Sequence, residues 1–129
     1  MRLLLLLFAL FAAMSASAAE PEWHAAPEYD VLMRPFDYEP PTIRLTAGQP
    51  VKLRFINQGQ ATFSFSAESF FRASQVRTGD VAVVTDGQFE VAPGEQRVIA
   101  LIPAPGRYQA RSSNLVHRML GMSAEIIVE

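Results

Sequence analysis

Apolar and polar residues alternate along most of this chain with the two-residue period of a strand. In residues 42–46 (TIRLT) Ile43 and Leu45 flank Arg44. In residues 51–57 (VKLRFIN) Val51, Leu53 and Phe55 face one way and Lys52 and Arg54 the other. Residues 29–33 (YDVLM), 62–66 (TFSFS), 88–91 (QFEV) and 97–102 (RVIALI) read as further strands. The breaks between them are turn chemistry: Pro40-Pro41, Ala47-Gly48-Gln49-Pro50, Asn57-Gln58-Gly59-Gln60 and Pro93-Gly94. Two adjacent prolines end the first strand region, because each removes a ladder donor and restricts the residue before it. The apolar, β-branched run 81–84 (VAVV) is followed by Asp86-Gly87, a hairpin signal that predicts pairing with 88–91.

The C-terminal stretch 106–129 reads as strand, tight loop, strand. Tyr108, Ala110 and Ser112 alternate with Gln109, Arg111 and Ser113, and Ala124, Ile126 and Val128 mark the last strand. The loop between them carries His117, Met119 and Met122, with four residues separating His117 from Met122. In total the pattern predicts an all-β chain of about eight short strands with turns every 8–12 residues, a Greek-key β-sandwich, with a short helical excursion near 67–75.

Composition narrows the setting. Residues 1–18 have the layout of a signal peptide: Arg2, an apolar run from Leu3 to Met14, then Ser15-Ala16-Ser17-Ala18. The apolar run is short of the roughly 20 residues needed to span a bilayer. Cleavage there predicts a secreted, periplasmic protein of about 110 residues, with a flexible arm at 19–28 and one domain at 29–129. Within the arm Trp23 is expected to tuck against the domain and His24 to be solvated. Cysteine is absent, which removes disulfides, thiolate ligands and cysteine nucleophiles together. Ten arginines and one lysine are scattered against 13 acidic residues, with a net charge of −2 and no basic stripe, so nucleic acid is not an expected partner.

The frame Phe-x-Tyr-x-Pro at 36–40, the strands at 43–57 and the His-x4-Met loop at 117–122 resemble the cupredoxins, the blue-copper fold family. The likeness runs from about residue 31 to residue 129. In that family a type 1 site uses two histidine nitrogens, a cysteine thiolate and an axial thioether. Matched position by position, His117 and Met122 stand where the second histidine and the axial methionine would be. Phe63 stands at the first histidine and Ser112 at the cysteine, so the resemblance implies a degenerate copper site. A serine hydroxyl is hard, neutral and protonated, and cannot replace the thiolate. The resemblance does not imply a blue-copper electron carrier here.

Two readings follow. In one, His117 and Met122, with Met119, Met33 or His24, bind copper in a non-blue site, Cu(I) above all, since imidazole and thioether donors suit it. In the other, Phe63 fills the former metal pocket and the fold is a metal-free module. Its loop around Leu115, Val116, Met119 and Leu120 then meets a periplasmic partner protein, as cupredoxins dock through this end. The Phe70-Phe71-Arg72 likeness extends this to an accessory of a metal-uptake system. Enzymatic chemistry is not expected: Ser112, Ser113 and His117 lack an acidic orienting residue and a nucleophile elbow, and no phosphate-binding glycine loop occurs.

Overall fold

The computed structural model describes residues 20–129, and the signal peptide expected at 1–18 lies outside the described residues. Two five-stranded sheets face each other. The first contains β1 (Glu28–Arg34), β2 (Asp37–Glu39), β4 (Val51–Asn57), β6 (Gln75–Val76) and β8 (Gln96–Ile102), in the order β2-β1-β4-β8-β6. The second contains β3 (Thr42–Leu45), β5 (Phe63–Ser66), β7 (Gln88–Val91), β9 (Gly106–Arg111) and β10 (Ser123–Val128), in the order β3-β10-β9-β5-β7. Two pairings are parallel, β1 with β4 and β3 with β10, and the rest are antiparallel.

The alternation read from the sequence sets which face is buried. Val51, Leu53 and Phe55 of β4 point inward and meet Ile43, Phe65 and Ile126 of the other sheet in one apolar core. Aromatic rings fill its centre: Phe55 and Phe65 lie 4.6 Å apart, and Phe55 and Phe89 lie 4.8 Å apart. Each fully buried ring contributes about 2–3 kcal/mol by area. The expected sandwich is therefore present, with ten strands among the described residues rather than about eight. One addition is β2, which pairs Tyr38 with Met33 where the sequence suggested a break before the prolines. The expected helical excursion is α1 (Glu68–Ala73), whose Phe70 and Phe71 are buried.

The run 81–84 departs from its reading as a strand. It forms a turn of helix, α2 (Val81–Val84), after a 3-10 turn at Thr78–Asp80. The edge position beside β8 is already taken by β6, and Arg77 N–H continues that pairing by donating to the Ala100 carbonyl at 2.8 Å. The Asp80 carboxylate then accepts the Ala100 N–H at 2.9 Å and Arg77 Nε at 2.9 Å, which turns the chain off the sheet. With only one surface to cover, Val84 is buried and Val81 stays 48% exposed. Gly87, at φ +75°, closes this helical turn instead of a hairpin, and its N–H donates to the Val84 carbonyl.

The segment read as an arm carries a 3-10 turn at Trp23–Ala25. Trp23 is buried, His24 is exposed, and Lys52 Nζ donates to the His24 carbonyl at 3.2 Å. The Thr78 hydroxyl donates to the Glu20 carboxylate. No helix among the described residues is long and apolar enough to cross a membrane.

Candidate functional site

At one end of the sandwich the loop between β9 and β10 meets β5 and the β1–β2 turn. The loop contains a short helix, α3 (Leu115–Met119). Asn114 starts it: its side-chain oxygen accepts the N–H groups of Val116 at 3.0 Å and His117 at 3.2 Å. Gly121, at φ +96°, ends it, a conformation that favours glycine. The loop is then tied shut at its base. Met122 N–H donates to the His117 carbonyl at 3.1 Å, and Ser112 N–H donates to the Met122 carbonyl at 3.0 Å.

These bonds bring His117, Met122 and Ser112 together, with Phe63 beside them. The Phe63 ring, on β5, stands against the His117 imidazole with centroids 5.5 Å apart. Phe36, in the β1–β2 turn at φ 65°, meets the same imidazole at 5.9 Å. His117 is thus held between two ring systems, and its Nδ1 is buried without a hydrogen-bond partner among the described residues. Met122 is fully buried, as is Met33 of β1, whereas Met119 is 76% exposed. The structure therefore parts Met119 from the other two members of the His117, Met119 and Met122 group.

Ser112 is also fully buried, and its hydroxyl belongs to a polar network. Its Oγ accepts the Asn114 N–H at 3.1 Å and lies 3.1 Å from Ser64 Oγ. Ser64 Oγ accepts the Ser113 N–H at 2.8 Å and pairs with the Ser113 hydroxyl at 2.8 Å. Tyr38 completes the arrangement, its O–H donating to the Ser64 carbonyl at 2.5 Å. Burial pushes the Tyr38 phenol well above the usual tyrosine range. The sequence does not point to Ser64 or Phe36 as members of this site. The signal for Ser64 was its place between Phe63 and Phe65 on a strand with two inner aromatics. Phe36 stands out only as the first residue of the Phe-x-Tyr-x-Pro frame, and its contact with His117 depends on the β1–β2 turn.

The outer side of α3 is apolar and uncovered. Leu115, Val116, Met119 and Leu120 are each more than half exposed, and Phe36 is 44% exposed beside them. Arg118, on the same short helix, takes part in no ion pair among the described residues.

A cupredoxin-like domain model matches residues 3–128. Among solved structures the chain is similar to auracyanin B at 18% identity, with a TM-score of 0.58 over 81% of this chain and 89% of that one. It is similar to the auracyanin of Roseiflexus castenholzii at 17% identity, with a TM-score of 0.57 over 81% of this chain and 98% of that one. A multi-copper oxidase from Pediococcus acidilactici matches at 13% identity and a TM-score of 0.61, over 78% of this chain and 25% of that chain. At these identities the likeness establishes the fold. The comparison with curated proteins found no match.

The residues present do not fit a blue-copper ion. The chain contains no cysteine, the Phe63 ring offers no donor, and the Ser112 hydroxyl is engaged by Ser64 and Asn114. No group of three or more His, Cys, Asp or Glu side chains is placed to hold a metal ion among the described residues. The sheet order, the closed loop and the family match agree, and the chain belongs to the cupredoxin-like domain family.

Proposed function

We propose that this chain is an exported, periplasmic cupredoxin-fold protein that acts by docking a partner protein through its loop end, without blue-copper electron transfer or catalysis of its own. The observation that carries this reading is Phe63. Its ring is 2% exposed and packs against His117, so an apolar side chain stands among the loop residues that resemble a copper site. Packed this way, the end of the sandwich needs no ion to hold it together, and the Ser64–Ser112–Ser113 network satisfies the buried hydroxyls of Ser64 and Ser112. The outward face of α3 then supplies what docking needs: adjacent aliphatic side chains on a fixed element that also carries Arg118. The leader-like segment 1–18 supports export, and a metal-uptake assembly is one setting for such a partner.

The test is capture from periplasmic extract of the native host by wild-type protein and by Leu120→Asp. A band retained by wild type and lost with Leu120→Asp, at unchanged melting temperature, supports docking by this face. Equal capture by both proteins overturns it.

One observation favours a second reading, Cu(I) held by His117 and Met122. The buried, unpartnered Nδ1 of His117 is a nitrogen donor on the same loop as the buried Met122 thioether. A Cu(I) competition titration under reducing conditions decides it. One equivalent bound at sub-micromolar affinity and lost in His117→Ala establishes copper carriage, and no binding retires it.

A further inference from the structure

We infer that Met119 is a site of oxidation by hydroperoxides and that its sulfoxide weakens the apolar face of α3. The consequence for a partner rests on the docking reading above, whereas the chemistry stands on exposure alone. Sulfur is the most readily oxidised atom in an ordinary protein surface, and this chain has no cysteine to compete for oxidant. Met33 and Met122 are fully enclosed, and Trp23 is buried. Met119, by contrast, is 76% exposed. Oxidant reactivity among the described residues therefore converges on a single thioether.

That thioether sits among Leu115, Val116 and Leu120, all more than half exposed on the same one-turn helix and its end. In the reaction the Met119 sulfur attacks the terminal peroxide oxygen and the O–O bond breaks. The hydroperoxide hydrogen passes to the departing oxygen, which leaves as water or an alcohol. Sulfur loses two electrons and the peroxide gains them. The product is a strong hydrogen-bond acceptor that holds water in the middle of the apolar patch. Because Met119 contributes almost nothing to the core, the fold is left intact, and the change is confined to what the face can bind.

The experiment treats purified protein with hydrogen peroxide and follows each methionine by peptide fragmentation, which separates Met119 from Met122. Met119 is expected to oxidise at least about tenfold faster than Met33 and Met122, with no fall in melting temperature. Equal rates at the three positions overturn the assignment. Retention on a phenyl matrix then reads the face in wild type, Met119→Leu, Met119→Gln and Leu120→Asp. Peroxide is expected to shorten wild-type retention to that of Met119→Gln and to leave Met119→Leu unchanged. If Leu120→Asp shortens retention and peroxide does not, the oxidation effect is wrong while the apolar face stands. If neither shortens it, the oxidation effect and the face both fall.

Discussion

The ring of Phe63 stands edge-on to the imidazole of His117, with an angle of 68° between their planes. Phe63 is anchored on β5, where it is paired with Val91 of β7, and His117 hangs on the loop between β9 and β10. The contact therefore joins the loop to the sheet without a metal ion. Phe63→Ala should open a cavity under the loop and cost about 3–5 kcal/mol, the range for truncating a buried phenylalanine. Urea unfolding checks it. A loss below about 1 kcal/mol shows that the loop is held by its backbone bonds to Met122 alone.

A second prediction concerns whether this end of the fold can be built into a copper site. Asn114 N–H already points at Ser112 Oγ, 3.1 Å away, and His117 Nδ1 is buried and unpartnered. Introducing a thiolate and a second imidazole through Phe63→His with Ser112→Cys should produce a visible thiolate-to-copper absorption on adding Cu(II). Either substitution alone should not, because a blue site needs both imidazoles and the thiolate in one constrained geometry. Titration followed by absorption spectroscopy reads the result, and a colourless double variant means that the loop and β5 do not hold the four positions in register.

The serine network gives a third. Ser64 Oγ receives the Ser113 N–H and touches the hydroxyls of Ser112 and Ser113. Ser64→Ala removes the shared partner of all three, whereas Ser112→Ala removes only the contact to Ser64 and the acceptor for Asn114 N–H. Ser64→Ala should therefore be the more damaging, at about 2–3 kcal/mol against about 1–2 kcal/mol for Ser112→Ala. Thermal unfolding of both variants orders them, and the reverse order would place the weight on the Asn114 contact.

The sandwich was legible because strands such as β3 and β4 bury one face each, and alternation in Ile43-Arg44-Leu45 or Val51-Lys52-Leu53 records this directly. The run Val81–Val84 was not, because local β-propensity says nothing about the bonds of Arg77 and Asp80 to Ala100 that turn the chain into a helical turn just before it. The same limit applied to the site. His117 and Met122 lie on one loop and could be grouped by spacing, but burial, which separates Met122 from Met119, is a property of the folded end. Ser64 and Ser112 are 48 residues apart, and only the pairing of β5 with β9 makes them neighbours.

Tyr38 links this site to pH. Its ring is buried against Phe65, 5.3 Å between centroids, and its O–H donates to the Ser64 carbonyl, so the folded protein holds the neutral phenol. Burial raises the phenol's folded-state pKa above that of the unfolded chain, which lies near the ordinary tyrosine value of about 10. Below that value both states keep the proton and the contribution is fully present. Above it the unfolded chain gives up the proton while the folded protein keeps it, so the unfolded state binds fewer protons and stability falls as pH rises. Urea unfolding between pH 8 and pH 11 should therefore show a decline above about pH 10 that is shallower in Tyr38→Phe. At pH 8 that variant should already be less stable by about 1–2 kcal/mol, because the Ser64 carbonyl loses its buried donor. An identical alkaline decline in both proteins would mean that Tyr38 ionises in place, and that the turn carrying Phe36 opens to water before the sandwich does.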